Sequence, residues 1–593
     1  MSHRHRDVRL GTADTGLRTH PATTTTAPKL REPGTRPGSA VNGLTPVKIV
    51  AYCAAEVYCS RILVSAPYTQ RLVGRMLDCF QVHAPWQRRL WHVGLVTSLQ
   101  EADEASFAVR ERALGVESFR WFRNSLRGRV SRDPGVGDSK QKAALQEILR
   151  GEIVAGSVDH RMLGLIVDDV RERYLDRWER ALGKENHGFG AERAARALAG
   201  HLLDAGHSQD GLHRWLTWLA LHDESEHDAA SIVARARDLE ARPRRRYQVL
   251  VFLLSPYPSS VSQPPEGLLR DDVTSWMASR GASQLLEGVA YEAGLLLRLA
   301  AHDMQAAAER AGEIADALVA RAAVGTRDRL LVHPEAHVRP NQHRLLPLRR
   351  RRRVDVRALE RQDRLVDDLS AIASGPVDAA LQLLAQLDQG PPEAAALSGW
   401  SAIESLLTAP GDEGGNVIAA DRLAALVTCA WPRAELTTLA HRRINAVDDE
   451  FTEKLNAAET NREKSDLIAA DIQAGNWLKL EDRSDETSVR RLEQLFKDPA
   501  GTLGSVRGYA ESAFRRLYRQ RNLVAHGART SAVALRPSLR TVAPLVGAGM
   551  DRIVHAHLVD QVDPLDLAAR AELELQRAGS TDAADVTALL ELD

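Results

Sequence analysis

The feature that most limits what this chain can fold into is an apolar stripe recurring at three- and four-residue steps. Leu163, Val167, Val170, Tyr174 and Trp178 follow one another at that spacing, with Asp168, Asp169, Arg171, Glu172 and Arg173 between them. At 3.6 residues per turn, such positions share one face of a helix and leave the charged ones to water. Leu, Ala, Arg and Glu dominate the 593 residues while aromatics make up 5%, a composition that favours helix. A chain this long exceeds one ordinary core. The expected fold is therefore mainly α: a multidomain helical protein with a small mixed α/β middle region and a C-terminal helical bundle.

Charge and cysteine usage narrow the function. Lys+Arg total 78 against 79 Asp+Glu, a net charge of -1, so no global basic field marks a nucleic-acid binder and any such site must be a local patch. Cys53, Cys59, Cys79 and Cys429 form no C-x-x-C pair and read as reduced thiols. No apolar run approaches the roughly 18 residues that suggest a membrane span. The N-terminal arginines and histidines are followed by no apolar segment of the signal-peptide kind, so the expected location is cytoplasmic, with no membrane partner.

Composition shifts divide the chain. Residues 1–44, rich in Thr, Arg, Gly and Pro, read as a disordered basic tail. Residues 45–184 read as an N-terminal helical domain, with Asp133-Pro-Gly-Val-Gly-Asp138 as a loop inside it. Residues 185–345 read as a mixed helical and strand region, with strands expected at Tyr247–Leu254 and Arg329–His333. Residues 346–374 read as a basic linker and helix, whose run Arg349–Arg353 is either a solvated hinge or a patch that follows phosphates. Residues 375–593 read as one further helical domain, in which the charged stretch 448–497 is expected at the surface.

Chemistry concentrates in Leu517-Tyr-Arg-Gln-Arg-Asn-Leu-Val-Ala-His-Gly527, which carries Arg521, Asn522 and His526 at the end of an amphipathic helix. An imidazole can move a proton and a guanidinium can hold a phosphate, so the pair can cleave RNA without a metal. The spacing alone is a weak signal, because Arg-x4-His also occurs at Arg196/His201 and Arg552/His557. Only the middle pair has an amide directly after the arginine, a glycine directly after the histidine, and basic residues Arg515, Arg516 and Arg519 upstream. Those three are candidate RNA-binding residues. A five-residue step turns about 140° around a helix, so Arg521 and His526 do not share a face by default. Gly527 suggests a helix end that frees the imidazole, and the long arginine stem covers the remaining angle.

Leu517–Gly527 resembles the signature of HEPN domains, specifically the Apea-like group. Trp400-Ser-Ala-Ile-Glu-Ser-Leu-Leu407 and Ile418-Ala-Ala-Asp-Arg-Leu-Ala-Ala-Leu426 are similar to that group's earlier helices. The likeness covers roughly residues 375–575, and the long charged insertion departs from it. The resemblance implies a helical bundle that dimerises to bring two motifs into one cleft. It also implies metal-independent endoribonuclease activity in a defence or toxin setting, with RNA as substrate, no cofactor, and an antitoxin or trigger as partner. Arg521, Asn522 and His526 are then the catalytic residues, with Asn522 orienting the imidazole or a phosphate oxygen. The N-terminal two-thirds would sense, restrain or position this domain. Two other classes fit the same residues: a non-catalytic RNA- or nucleotide-binding module, and a structural dimerisation protein.

Three other constellations read as structure. His222-Asp-Glu-Ser-Glu-His227 spaces its histidines five apart, on different helix faces, unlike H-E-x-x-H, so no metal site is expected. Gly183-Lys-Glu-Asn-His-Gly-Phe-Gly190 lacks the P-loop spacing and reads as a loop. Trp86, Trp91, Trp215 and Trp218 fit core positions better than base-stacking ones. His555 and His557 read as helix-surface residues that could also line the motif's cleft.

Overall fold

The computed structural model describes residues 67–184, 187–222, 228–257, 264–325, 329–341, 343–361, 375–412, 415–476, 478–480, 483–527, 531–580 and 585–591. The basic tail, Cys53, Cys59, Trp477 and most of the His222–His227 cluster lie outside them. All the described residues belong to one unit, Ala55–Asp593.

The apolar stripe becomes the helix Val158–Leu182, which buries Leu163, Val167, Val170, Tyr174 and Trp178 on one side. Ser157 caps its start by accepting from the His160 N–H, and Gly183 follows its end. The fold is mainly helical with one small antiparallel sheet. The loop at Asp133–Asp138 forms as expected, a short 3-10 turn between the helices Val116–Arg132 and Ser139–Arg150.

The helical blocks expected as separate domains share one core. A continuous cluster of buried apolar side chains runs from Leu72 to Ala236 and resumes from Val354 to Leu590. Polar contacts cross the same seam: the Trp431 indole N–H donates to the Gln87 carbonyl at 3.3 Å, far apart in sequence and adjacent in space. The cause is geometric. Helices such as Ile418–Ala446 carry buried side chains almost all round, so they need neighbours on every side, and the N-terminal helices supply some of them.

The mixed region does have its own cores. Strands β1 (Arg245–Leu253), β2 (Gly267–Leu269), β3 (Ala293–Ala301), β4 (Val332–Val338) and β5 (Leu346–Pro347) pair in the order β2-β3-β1-β4-β5. Alternate residues of β1 point to opposite faces. Val249, Val251 and Leu253 pack under the helix Met304–Gly325, whereas Leu250 and Phe252 pack with the helix Arg270–Ala278. The strand expected at Tyr247–Leu254 is thus present, and the one expected at Arg329–His333 starts later, at Val332.

The charged stretch 448–497 differs from expectation. It forms the helices Glu450–Ala457, Asn461–Gln473 and Arg483–Lys497, which bury Leu455, Ile468, Ile472, Leu492 and Leu495 in the main core. Each helix is charged on one side and apolar on the other, so overall polarity concealed its inner face.

Candidate active site

The motif lies at the C-terminal end of a 29-residue helix, Pro499–Gly527. This motif helix packs against Ile418–Ala446, Pro392–Leu407 and Leu535–Val559. Trp400 of Pro392–Leu407 meets Tyr518 ring to ring at 4.9 Å, one turn before the motif.

The motif side chains converge. Arg521 Nη1 donates to Asn522 Oδ1 at 2.9 Å and lies 3.4 Å from His526 Nε2. The helix continues through His526, so the arginine stem, rather than an unwound end, covers the angular gap. A guanidinium has no acceptor, so across this contact only Nε2 can accept. His526 is exposed and Asn522 is buried. Asn522 therefore orients the guanidinium, where the sequence suggested it would orient the imidazole or a phosphate oxygen. Sequence reasoning overlooked Glu404, whose Oε2 stands 3.9 Å from Arg521 Nη2. The signal was present: Glu404 follows Trp400 by four residues and so shares its helix face.

The three upstream arginines do not form an open phosphate patch, which corrects their reading as RNA-binding residues. Arg515 pairs with Asp421 through Nε at 2.7 Å. Arg516 and Arg519 are buried against Glu101 of the helix Leu95–Arg110: Arg516 Nε donates to Oε2 at 2.8 Å, and Arg519 Nε and Nη2 donate to Oε1 at 3.2 Å. Arg516 Nη2 also donates to Ser98 Oγ at 3.1 Å, and the Arg519 guanidinium sits 4.2 Å from the Phe122 ring centre. Burial by itself would raise the Glu101 carboxyl, yet the two guanidiniums hold it below the usual carboxylate range. Burial lowers Arg519 to about 10 despite Glu101. A buried carboxylate facing two buried guanidiniums is a structural lock, not a docking surface.

The other candidates settle into structural places. Arg196 reaches Glu192 at 2.6 Å and covers the Tyr509 ring at 4.4 Å, while His201 Nε2 lies 3.0 Å from Glu240. His555 and His557 are half-buried on Leu535–Val559; burial, then the Arg552 charge, lowers His555. Among the described residues, neither is hydrogen-bonded to Arg521 or His526. Cys79 and Cys429 are free and buried, with burial pushing the Cys79 thiol up to about 11. Trp91 is buried in the core, whereas Trp218 is exposed. Among the described residues, no group of three or more His, Cys, Asp or Glu could hold a metal ion, and no helix is long and apolar enough to cross a membrane.

Searches of family models, of curated proteins and of solved structures find no match to this chain.

Proposed function

We propose that this protein is a metal-independent endoribonuclease of HEPN type, acting at Arg521, Asn522 and His526. The observation that carries the reading is the convergence of an exposed imidazole and a guanidinium 3.4 Å apart, with the guanidinium oriented by a buried amide. RNA supplies its own nucleophile, the 2′-hydroxyl. His526 Nε2 takes the 2′-hydroxyl proton as that oxygen attacks the phosphorus and the bond to the 5′ oxygen breaks. Arg521 offers its fork of donors to the non-bridging oxygens, where charge builds in the transition state. The products are a 2′,3′-cyclic phosphate and a 5′-hydroxyl.

A homodimer through the C-terminal helices places a second motif opposite the first, and its histidine can protonate the leaving oxygen. The Glu101 lock joins the N-terminal helices to the motif helix, a route by which a trigger or antitoxin could act on the site in a cytoplasmic defence or toxin system.

The test is incubation of the full-length protein with total RNA in excess EDTA, beside Arg521→Ala and His526→Ala. Wild type is expected to yield cyclic-phosphate and 5′-hydroxyl ends, with His526→Ala slower by about 10²–10⁴-fold. Cleavage that survives both substitutions overturns the assignment, and so does RNA binding without cleavage by wild type.

A further inference from the structure

The small sheet has two edges, and they are finished differently. At β5 the edge is closed: Pro347 has no N–H to offer, and its carbonyl accepts from Gln305 Nε2 at 3.0 Å. At the other edge, β2 covers only the first half of β3. Its pairing runs from Ala293 to Leu295, and the Leu296 N–H then donates to the Glu266 carbonyl at 2.8 Å. From Leu297 to Ala301, β3 is paired with β1 on its inner side, and among the described residues no strand lies on its outer side.

Hydrogen bonding alternates along a strand, so Arg298 and Ala300 turn their N–H and C=O groups outward, as Leu296 does. Both residues are exposed, and among the described residues nothing bonds to those four backbone groups. The side chains beside this gap are basic. Arg298 lies opposite Gln248 and Ala300 opposite Arg246, while Arg339 Nη1 donates to Gln248 Oε1 at 3.1 Å across the same face. Elsewhere in this protein, clustered arginines meet acids: Arg350 pairs with Asp210 and Glu309, and Arg351 with Asp388. The sheet reverses that pattern. Arg246, Arg298 and Arg339 are exposed, and among the described residues no carboxylate lies within ion-pair distance of any of them. On the opposite face, Leu297 and Leu299 pack with the apolar core beneath the helix Met304–Gly325.

We propose that an extended acidic peptide of a partner protein docks here as an added strand, antiparallel to β3 and in line with β2. Its main chain exchanges hydrogen bonds with Arg298 and Ala300. An acidic residue opposite Arg298 meets that guanidinium. One opposite Ala300 reaches over the small alanine to Arg246, two strand spacings or about 10 Å away. The residues between them lie beside Leu297 and Leu299, so the sequence that fits alternates acidic and apolar. The unneutralised arginines also exclude other strands. A second copy of β3 would bring the basic faces of two chains together, which like charge opposes. Nucleic-acid phosphates accept hydrogen bonds and do not donate them, so they leave the Arg298 and Ala300 carbonyls unpaired. The surface belongs to the sheet alone and is independent of the nuclease reading.

Fluorescence polarisation of a labelled Glu-Val-Glu-Val-Glu-Val-Glu peptide with the full-length protein tests this. Saturable binding is expected, weakened by added salt and about 10-fold or more weaker when lysine replaces each glutamate. Arg298→Glu is expected to weaken it by about 10-fold or more. Ala300→Pro removes one outward N–H and leaves the ladder to β1 intact, so the melting temperature is expected to hold while binding falls about fivefold or more. A peptide N-methylated at its glutamates loses the same edge bonds with the protein unchanged, and is expected to bind about 10-fold or more weakly. Absence of binding by the acidic peptide overturns the proposal, as does equal affinity for the lysine peptide. Full affinity of the N-methylated peptide overturns it too, since charge alone would then hold the ligand. An oligoribonucleotide bound through Arg298, or a dimer lost in Ala300→Pro, with no binding of the peptide, gives the edge to another occupant and overturns it equally.

Discussion

Arg519 and Arg521 stand two residues apart on one helix, yet their environments are opposite. The Arg519 side chain is 2% exposed and locked to Glu101, whereas that of Arg521 is 26% exposed beside Asn522 and His526. Two residues turn about 200° around a helix, so the pair faces different neighbours. Arg519 points into the seam with the N-terminal helices. Arg521 points to the rim. The comparison teaches that a run of arginines is no measure of available positive charge; what matters is where the carboxylates of distant segments arrive. Arg349–Arg353 repeats the lesson, because Arg349, Arg350 and Arg351 meet Asp316, Asp210 and Asp388. That run is neither a free hinge nor an open phosphate track.

The largest way to break the contrast is at Glu101. Glu101→Gln leaves Arg516 and Arg519 buried without a counter-charge and is expected to cost about 3–5 kcal/mol in denaturant unfolding. The same residue sets an acid dependence. Its folded pKa lies below the unfolded value of about 4.3, so its contribution is complete above that range and fades as pH falls through the folded value. Melting temperatures recorded from pH 7 to pH 3 should fall less steeply in Glu101→Gln than in wild type. An equal slope in the two proteins would remove the lock from the account.

A smaller effect sharpens the other half. Arg521→Lys keeps the charge but removes the planar fork, and is expected to slow RNA cleavage about tenfold or more, some 1.4 kcal/mol, at unchanged stability. A lysine variant as fast as wild type would mean that charge alone suffices there. The smallest effect belongs to Arg351→Ala. Its side chain is 62% exposed, and Asp388 Oδ1 also accepts from the Arg353 and Val354 N–H groups at 2.8 and 3.1 Å. The expected change in unfolding free energy is below about 1 kcal/mol.

Helical content, the strand at Tyr247–Leu254 and the grouping of Arg521, Asn522 and His526 were legible because each rests on local spacing. Strand β3 was not, since Ala293–Ala301 is leucine- and alanine-rich and shows its alternation only once β1 lies beside it. Glu101 also escaped notice, because a carboxylate's partner across the fold leaves no trace in its own neighbourhood of the chain.

The sequence by itself determined that this protein builds amphipathic helices and ends one of them with an arginine, an amide and a histidine, because periodicity and cap chemistry act over a few residues. Only the tertiary structure decided which guanidiniums are locked and which face the rim. The reason is that long-range packing delivers the opposing charges, and burial then amplifies every pairing made or missed.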